Sequence, residues 1–193
     1  MNDGYFEQII KRVADNDPTL NELDLWDKQI RNDGAVALAE ALKTNASITE
    51  LCLESNRIGD RGAVALSDAL KTNPSITELY LYDNQIRDYG AWVLAEALKT
   101  NSSLELLDLD YNRIGDEGAE ALGEAIKTNP SITKLNLNRN QIGDEGAIAL
   151  AEALQTNTSI TALGLYGNQI ENKKVFEDIK AYLARNKERQ KNG

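Results

Sequence analysis

Asp108 and Asp110 stand two residues apart in LDLDYNRIGDEG, a spacing that places both carboxylates on one face of a strand, where they could share a proton. Acids recur at matching places along the chain, so a solvated acidic face is the better reading. DYNRIGDEG (110–118) has the outline of a calcium loop, yet Ile114 stands where an oxygen ligand is needed. Cys52 is the single thiol. Glu50 and Glu54 flank it, and no neighbouring positive charge favours a thiolate. There is no histidine, which counts against Ser-His-Asp hydrolysis and His-ligated metals. The glycines do not form a phosphate-cradling loop with its lysine. No catalytic residue, metal or cofactor is therefore expected, and the chain reads as non-enzymatic.

The charge balance points toward a class of partner. Thirty-one acidic side chains against 21 basic ones give a formal charge of -10 over 193 residues. Such a surface repels phosphates and anionic lipid, so neither nucleic acid nor membrane is expected as a partner, and a basic protein is the better electrostatic match. The chain opens on MNDGYFEQII, without the basic and apolar regions of a signal peptide. With one unpaired cysteine, a cytoplasmic setting is expected.

A period of 28 residues organises everything else. LNELDLWDKQI (20–30), ITELCLESNRI (48–58), ITELYLYDNQI (76–86), LELLDLDYNRI (104–114), ITKLNLNRNQI (132–142) and ITALGLYGNQI (160–170) superimpose as apolar-x-x-Leu-x-Leu-x-x-Asn-x-Ile. Leucines two apart, such as Leu51 and Leu53, point to one side of a short strand. The following segment, for example 60–73, carries Ala63, Leu66 and Leu70 at helical spacing. Neither element can bury its apolar side alone, so neighbouring repeats must stack.

In this pattern the sequence resembles leucine-rich repeat proteins, specifically the ribonuclease-inhibitor-like type with a full helix in each repeat. The resemblance implies a right-handed α/β solenoid of six strand-helix repeats, with a parallel sheet on the concave side and helices on the convex side. VADNDPTLNELDL (13–25), the KTN helix ends and the closing C-terminal helix also resemble the tropomodulin and leiomodin repeat domain. A single domain over 1–193 is expected, with an N-terminal capping half repeat at 4–17, repeats over 18–170, a capping helix at 171–187 and a ragged tail at 188–193.

The punctuation repeats with the core. Asn32, Asp60, Asp88, Asp116, Asp144 and Asn172 are expected as N-caps of their own helices. Asn45, Asn73, Asn101, Asn129 and Asn157 are expected in left-handed turns at helix ends. Gly34, Gly62, Gly90, Gly118 and Gly146 mark close backbone approach to a neighbouring repeat. Asn56, Asn84, Asn112, Asn140 and Asn168 resemble the family's asparagine ladder, with Lys28 standing in the first rung.

Variation between repeats falls on strand positions facing away from the leucines. Over six strands they hold nine acids and two bases, so a net -7 of the total -10 lies on one face. The candidate binding residues there are Glu22, Asp24, Trp26, Glu50, Glu54, Glu78, Tyr80, Tyr82, Asp108, Asp110 and Tyr111. Tyrosine and tryptophan add apolar area and cation-π capacity to the acids, a combination that suits a lysine- and arginine-rich protein. Val36, Val64, Trp92 and Ile148 form a lesser row on the helices, expected to fill the seam between them.

The leading expectation is a protein-binding scaffold. Two alternatives follow from the resemblance: regulation of a GTPase or other enzyme, through Arg57 or Arg113 on the loops after the strands, and actin pointed-end binding. A streamlined repeat without a dedicated partner is a further reading. The chain is expected to be monomeric, with weak head-to-tail association as the alternative because 171–193 carries a net +3.

Overall fold

The computed structural model describes residues 3–192. Strands and helices alternate throughout: α1 (Asp3–Ala14), β1 (Glu22–Asp24), α2 (Arg31–Leu42), β2 (Glu50–Cys52), α3 (Asp60–Leu70), β3 (Glu78–Tyr80), α4 (Asp88–Leu98), β4 (Leu106–Asp108), α5 (Asp116–Ile126), β5 (Lys134–Asn136), α6 (Asp144–Thr156), β6 (Ala162–Gly164) and α7 (Lys173–Asn192). The six strands form one parallel sheet in chain order. Each residue lies beside its equivalent one period on, as in Leu23, Leu51 and Leu79. This is the α/β solenoid that the repeat implies, with strands on the concave side and helices on the convex side.

The leucines and isoleucines of the motif point between the layers and are buried, Leu51, Leu53 and Ile58 at 0–1% exposure. Each contributes on the order of 1.5–3 kcal/mol by leaving water. Between the helices the contact residues are small: Ala63, Ala91, Ala119 and Ala147 are fully buried. Among the described residues, no helix is long and apolar enough to cross a membrane.

Two asparagine ladders hold the repeats together. In the first, Asn84 Nδ2 donates to the carbonyls of Leu53 and Leu81, both at 3.0 Å, while its Oδ1 accepts from Ile58 N at 2.8 Å. Asn56, Asn112, Asn140 and Asn168 bridge to the preceding repeat in the same way. A turn taken inside the stack would otherwise strand these groups away from water. Lys28, in the first rung, is exposed, and only its backbone N–H joins the ladder, donating to Asn56 Oδ1 at 3.0 Å.

The second ladder replaces the left-handed helix ends expected for Asn45, Asn73, Asn101, Asn129 and Asn157. None of the five has positive φ, and Asn157 is extended at φ -64°, ψ 136°. Asn73 Nδ2 instead donates to Leu42 O at 2.7 Å and Asn45 O at 2.8 Å. Its Oδ1 accepts from Ser75 N and Ile76 N, both at 3.0 Å. Carbonyls at each helix end are thus served by an amide from the next repeat, so no left-handed cap is required. At the last repeat Arg185 takes this role, donating to Leu154 O at 2.6 Å and Asn157 O at 2.8 Å.

The N-caps also differ from expectation. Asp60 Oδ1 accepts from Arg87 N at 2.8 Å and Gly90 N at 3.2 Å, so it caps the helix of the following repeat rather than its own. Asn32, Asp88 and Asp116 act likewise. Asn172 does cap its own helix, through Lys174 N at 3.1 Å. The borrowed cap explains the repeat glycine: a Cβ at Gly90 would lie 2.7 Å from Asp60 Oδ1.

Left-handed backbone appears elsewhere. Asp27, Ser55, Asp83, Tyr111 and Arg139 all have φ of 49–54°, and Gly167 has 75°. These residues turn the chain off the sheet just before each rung of the first ladder. Because side chains cost energy there, Asp27→Gly, at an exposed end position, is expected to stabilise the fold by about 0.5–1 kcal/mol. Urea titration checks this.

The ends depart slightly from the expected boundaries. After α1, residues 15–16 form a turn, with Asn16 at φ 53°, and residue 17 is not helical. At the other end α7 continues to Asn192, so residues 188–192, expected as a ragged tail, are helical. Gly193 lies outside the described residues.

Candidate functional site

Strand pleating turns every residue between the leucines onto the concave face. The register places Glu22 opposite Glu50 and Glu50 opposite Glu78. Directly opposed like charges destabilise a sheet. The eight ion pairs found among the described residues involve Asp15, Asp17, Asp33, Glu40, Asp68, Glu96, Glu124 and Asp178, all outside this face. Among the described residues the concave glutamates thus form no ion pair.

Their protonation reflects this. Burial, then the charges of Glu78, Glu22 and Asp24, raise Glu50 above the usual carboxylate range. Burial followed by Asp108 and Asp24 raises Glu54. A carboxylate raised by folding stabilises the protein at low pH, and that contribution is lost as pH rises through its folded value. Glu50→Gln is accordingly expected to raise the melting temperature by about 1–3 °C at neutral pH. The gain should vanish near pH 4, where the carboxyl is protonated. Thermal melts at the two pH values check both halves.

Other acids of the face are partly engaged. Asp110 accepts from Asn138 N at 2.7 Å and Asn138 Nδ2 at 2.8 Å, and burial raises its carboxyl despite these bonds. Asp108 accepts from Asn136 Nδ2 at 2.7 Å, and Asp24 accepts from Trp26 N at 2.9 Å. Tyr80, half-buried, donates its hydroxyl to Glu78, and burial followed by that bond raises its phenol. Burial likewise pushes the Cys52 thiol up to about 11, which makes it a poor nucleophile.

The aromatics separate into two groups. Trp26 stands alone at the N-terminal end, 55% exposed. Tyr82 and Tyr111 lie at 5.0 Å between ring centroids, tilted by 58°. Arg139 sits over Tyr111 at 4.7 Å and over Tyr166 at 5.7 Å. The chain's own arginine thus covers part of this aromatic surface, a contact invisible in the sequence because the residues are one repeat apart in series. Burial raises the Tyr82 phenol above its ordinary value. Tyr111 has the left-handed backbone shared by the equivalent residue of every repeat.

Arg57 and Arg113 are exposed on the loops after β2 and β4. On the helical side, Val64 is half-buried against the core as expected, whereas Val36, Trp92 and Ile148 stay exposed. Trp92 stacks on exposed Tyr89 at 5.9 Å and 19°. Tyr89 lies just inside the helix start at a position the repeat does not mark, so the sequence pattern gives no sign of it.

Comparisons with known proteins extend this picture. No curated protein matches the chain. Among solved structures, one described as leiomodin-1 actin-binding site 2 is 24% identical with a TM-score of 0.66, the match covering 97% of this chain and 92% of that one. A tropomodulin C-terminal domain from Caenorhabditis elegans is 18% identical with a TM-score of 0.62, covering 96% and 95%. These likenesses show the fold. A general leucine-rich repeat model matches residues 100–123 and 128–151. The model of the TMOD/LMOD leucine-rich domain matches residues 2–107, more than half of the chain, and the protein therefore belongs to that family of leucine-rich repeat domains.

Proposed function

We propose that the protein is a non-enzymatic scaffold in the cytoplasm that holds a basic protein partner on the concave face of β1–β4, itself remaining a monomer. Membership of a leucine-rich domain family supports a role in protein interaction. The observation that carries the finer reading is the in-register row Glu22, Glu50 and Glu78, which forms no ion pair among the described residues while the ion pairs lie elsewhere. A row that costs stability is explained if a partner's lysines and arginines complete it. Glu54, Asp24, Asp108 and Asp110 extend the negative surface, and Trp26, Tyr80, Tyr82 and Tyr111 supply anchoring area.

Affinity capture with the wild type and with Trp26→Ala/Tyr82→Ala tests the reading. The double variant is expected to lose the salt-sensitive partner by about tenfold or more while melting within a few degrees of the wild type. Equal capture by both proteins would refute the assignment of the face.

Actin binding is a second reading, favoured by the solved neighbour described as an actin-binding site. An actin-filament elongation assay separates the two. Pointed-end inhibition that survives neutralisation of the three glutamates would favour actin held by another surface.

A further inference from the structure

We propose that the free edge of β6 is a strand-addition site. It would take an extended segment of a protein partner, running parallel to β6, that carries leucine-x-leucine followed three residues later by asparagine.

Between β5 and β6, Leu137 N donates to Gly164 O at 2.9 Å, Arg139 N to Tyr166 O at 2.7 Å, and Thr161 N to Thr133 O at 2.8 Å. The amide of Asn168 completes this set by accepting from Ile142 N at 3.1 Å. One period on, the equivalent groups face outward. The N–H groups of Leu165, Gly167 and Ile170 and the carbonyl of Thr161 have no partner among the described residues. They form a ready template for another strand.

Side chains continue the template. Leu79, Leu107 and Leu135 are buried at 0–1%, but their equivalent Leu163 is only half-buried. It opens into a cleft of about 480 Å³ with Leu165, Ile170, Phe176 and Ile179. Phe176 is 41% exposed at its rim. α7 closes only the lower part of this end. Asn186 reaches Ile160 O at 2.8 Å and Gln190 reaches Ser159 O at 2.9 Å, and neither serves the strand beyond.

The two ends of the sheet are guarded differently. The β1 segment, 20–30, bears Glu22, Asp24, Asp27 and Lys28, charges of the kind that deter strand pairing. The β6 segment, 160–170, is the single one of six with no charged residue. Five preceding pairings in this molecule show what fits such an edge, which identifies the occupant's chemistry: two leucines for the cleft and an asparagine amide for Ile170 N.

A synthetic peptide with the sequence of residues 132–142, ITKLNLNRNQI, is the probe, followed by amide chemical shifts of the intact protein. Saturable shifts are expected at Leu165, Gly167 and Ile170. N-methylation of the peptide's threonine, or alanine in place of its third asparagine, should each weaken binding by about 3- to 10-fold. Phe176→Asp, at an exposed position, should weaken it as well. The proposal is overturned if a scrambled peptide gives the same shifts. It is equally overturned if shifts fall on the β1–β3 acids instead, as simple charge attraction to the peptide's lysine and arginine would produce. Shifts at the three edge amides that grow with protein concentration alone would make a second copy the occupant and also overturn it.

Discussion

Asn84→Ala is expected to lower the unfolding free energy by about 3–5 kcal/mol. The amide serves the carbonyls of Leu53 and Leu81 and the N–H of Ile58, and the side chain is only 6% exposed. Removing it strands the carbonyl of Leu53 and the N–H groups of Asn56 and Ile58, each costing on the order of 1–3 kcal/mol before relaxation and water entry reduce the sum, while Leu81 O keeps the amide of Asn112 at 2.9 Å. The melting temperature should fall by roughly 6–15 °C. In a stack where each repeat touches only its neighbours, the damage should also reduce cooperativity between β2 and β3. Hydrogen exchange should show the repeats on either side losing protection unequally. Asn168→Ala, in the partly exposed last rung, should cost distinctly less.

The second large effect sets stability against binding. Glu22→Gln, Glu50→Gln and Glu78→Gln combined remove a row of like charges paired directly across three strands. The triple variant should melt above the wild type at neutral pH, because self-repulsion is relieved and no internal ion pair is lost. Its affinity for a basic partner should fall by about 10- to 100-fold at low salt. The slope of affinity against salt should flatten at the same time. Reduced binding in a more stable protein separates loss of a recognition surface from damage to the fold. Asp17 behaves oppositely with pH. Hydrogen bonds from Thr19 and then Arg12 hold it at about 2, so its contribution is present at neutral pH and lost only on strong acidification.

The 28-residue period made the solenoid legible because core positions, ladder asparagines and close-approach glycines are each one residue type at one register. What the pattern could not assign was the direction of a bond. Asp60 precedes a helix and so reads as its cap, yet its carboxylate reaches the next helix along the stack. Asn73 ends a helix and so reads as a left-handed turn, yet it ties two repeats together. Both roles depend on the distance between neighbouring repeats, which no single repeat encodes. The acidic rows were legible, since alternation alone fixes the face. The contact of Arg139 with Tyr111 and the stack of Tyr89 on Trp92 were not, because they depend on side-chain reach between turns and within a helix start.

The concave-face account is tested most directly by mapping amide chemical shifts as a lysine- and arginine-rich helical peptide is titrated into the protein at low salt. The account predicts saturable shifts at Glu22, Glu50, Glu54, Glu78 and Tyr80, abolished by the triple glutamine variant. Shifts centred on the paired acids of the helices, such as Glu40, Asp68, Glu96 and Glu124, would contradict it.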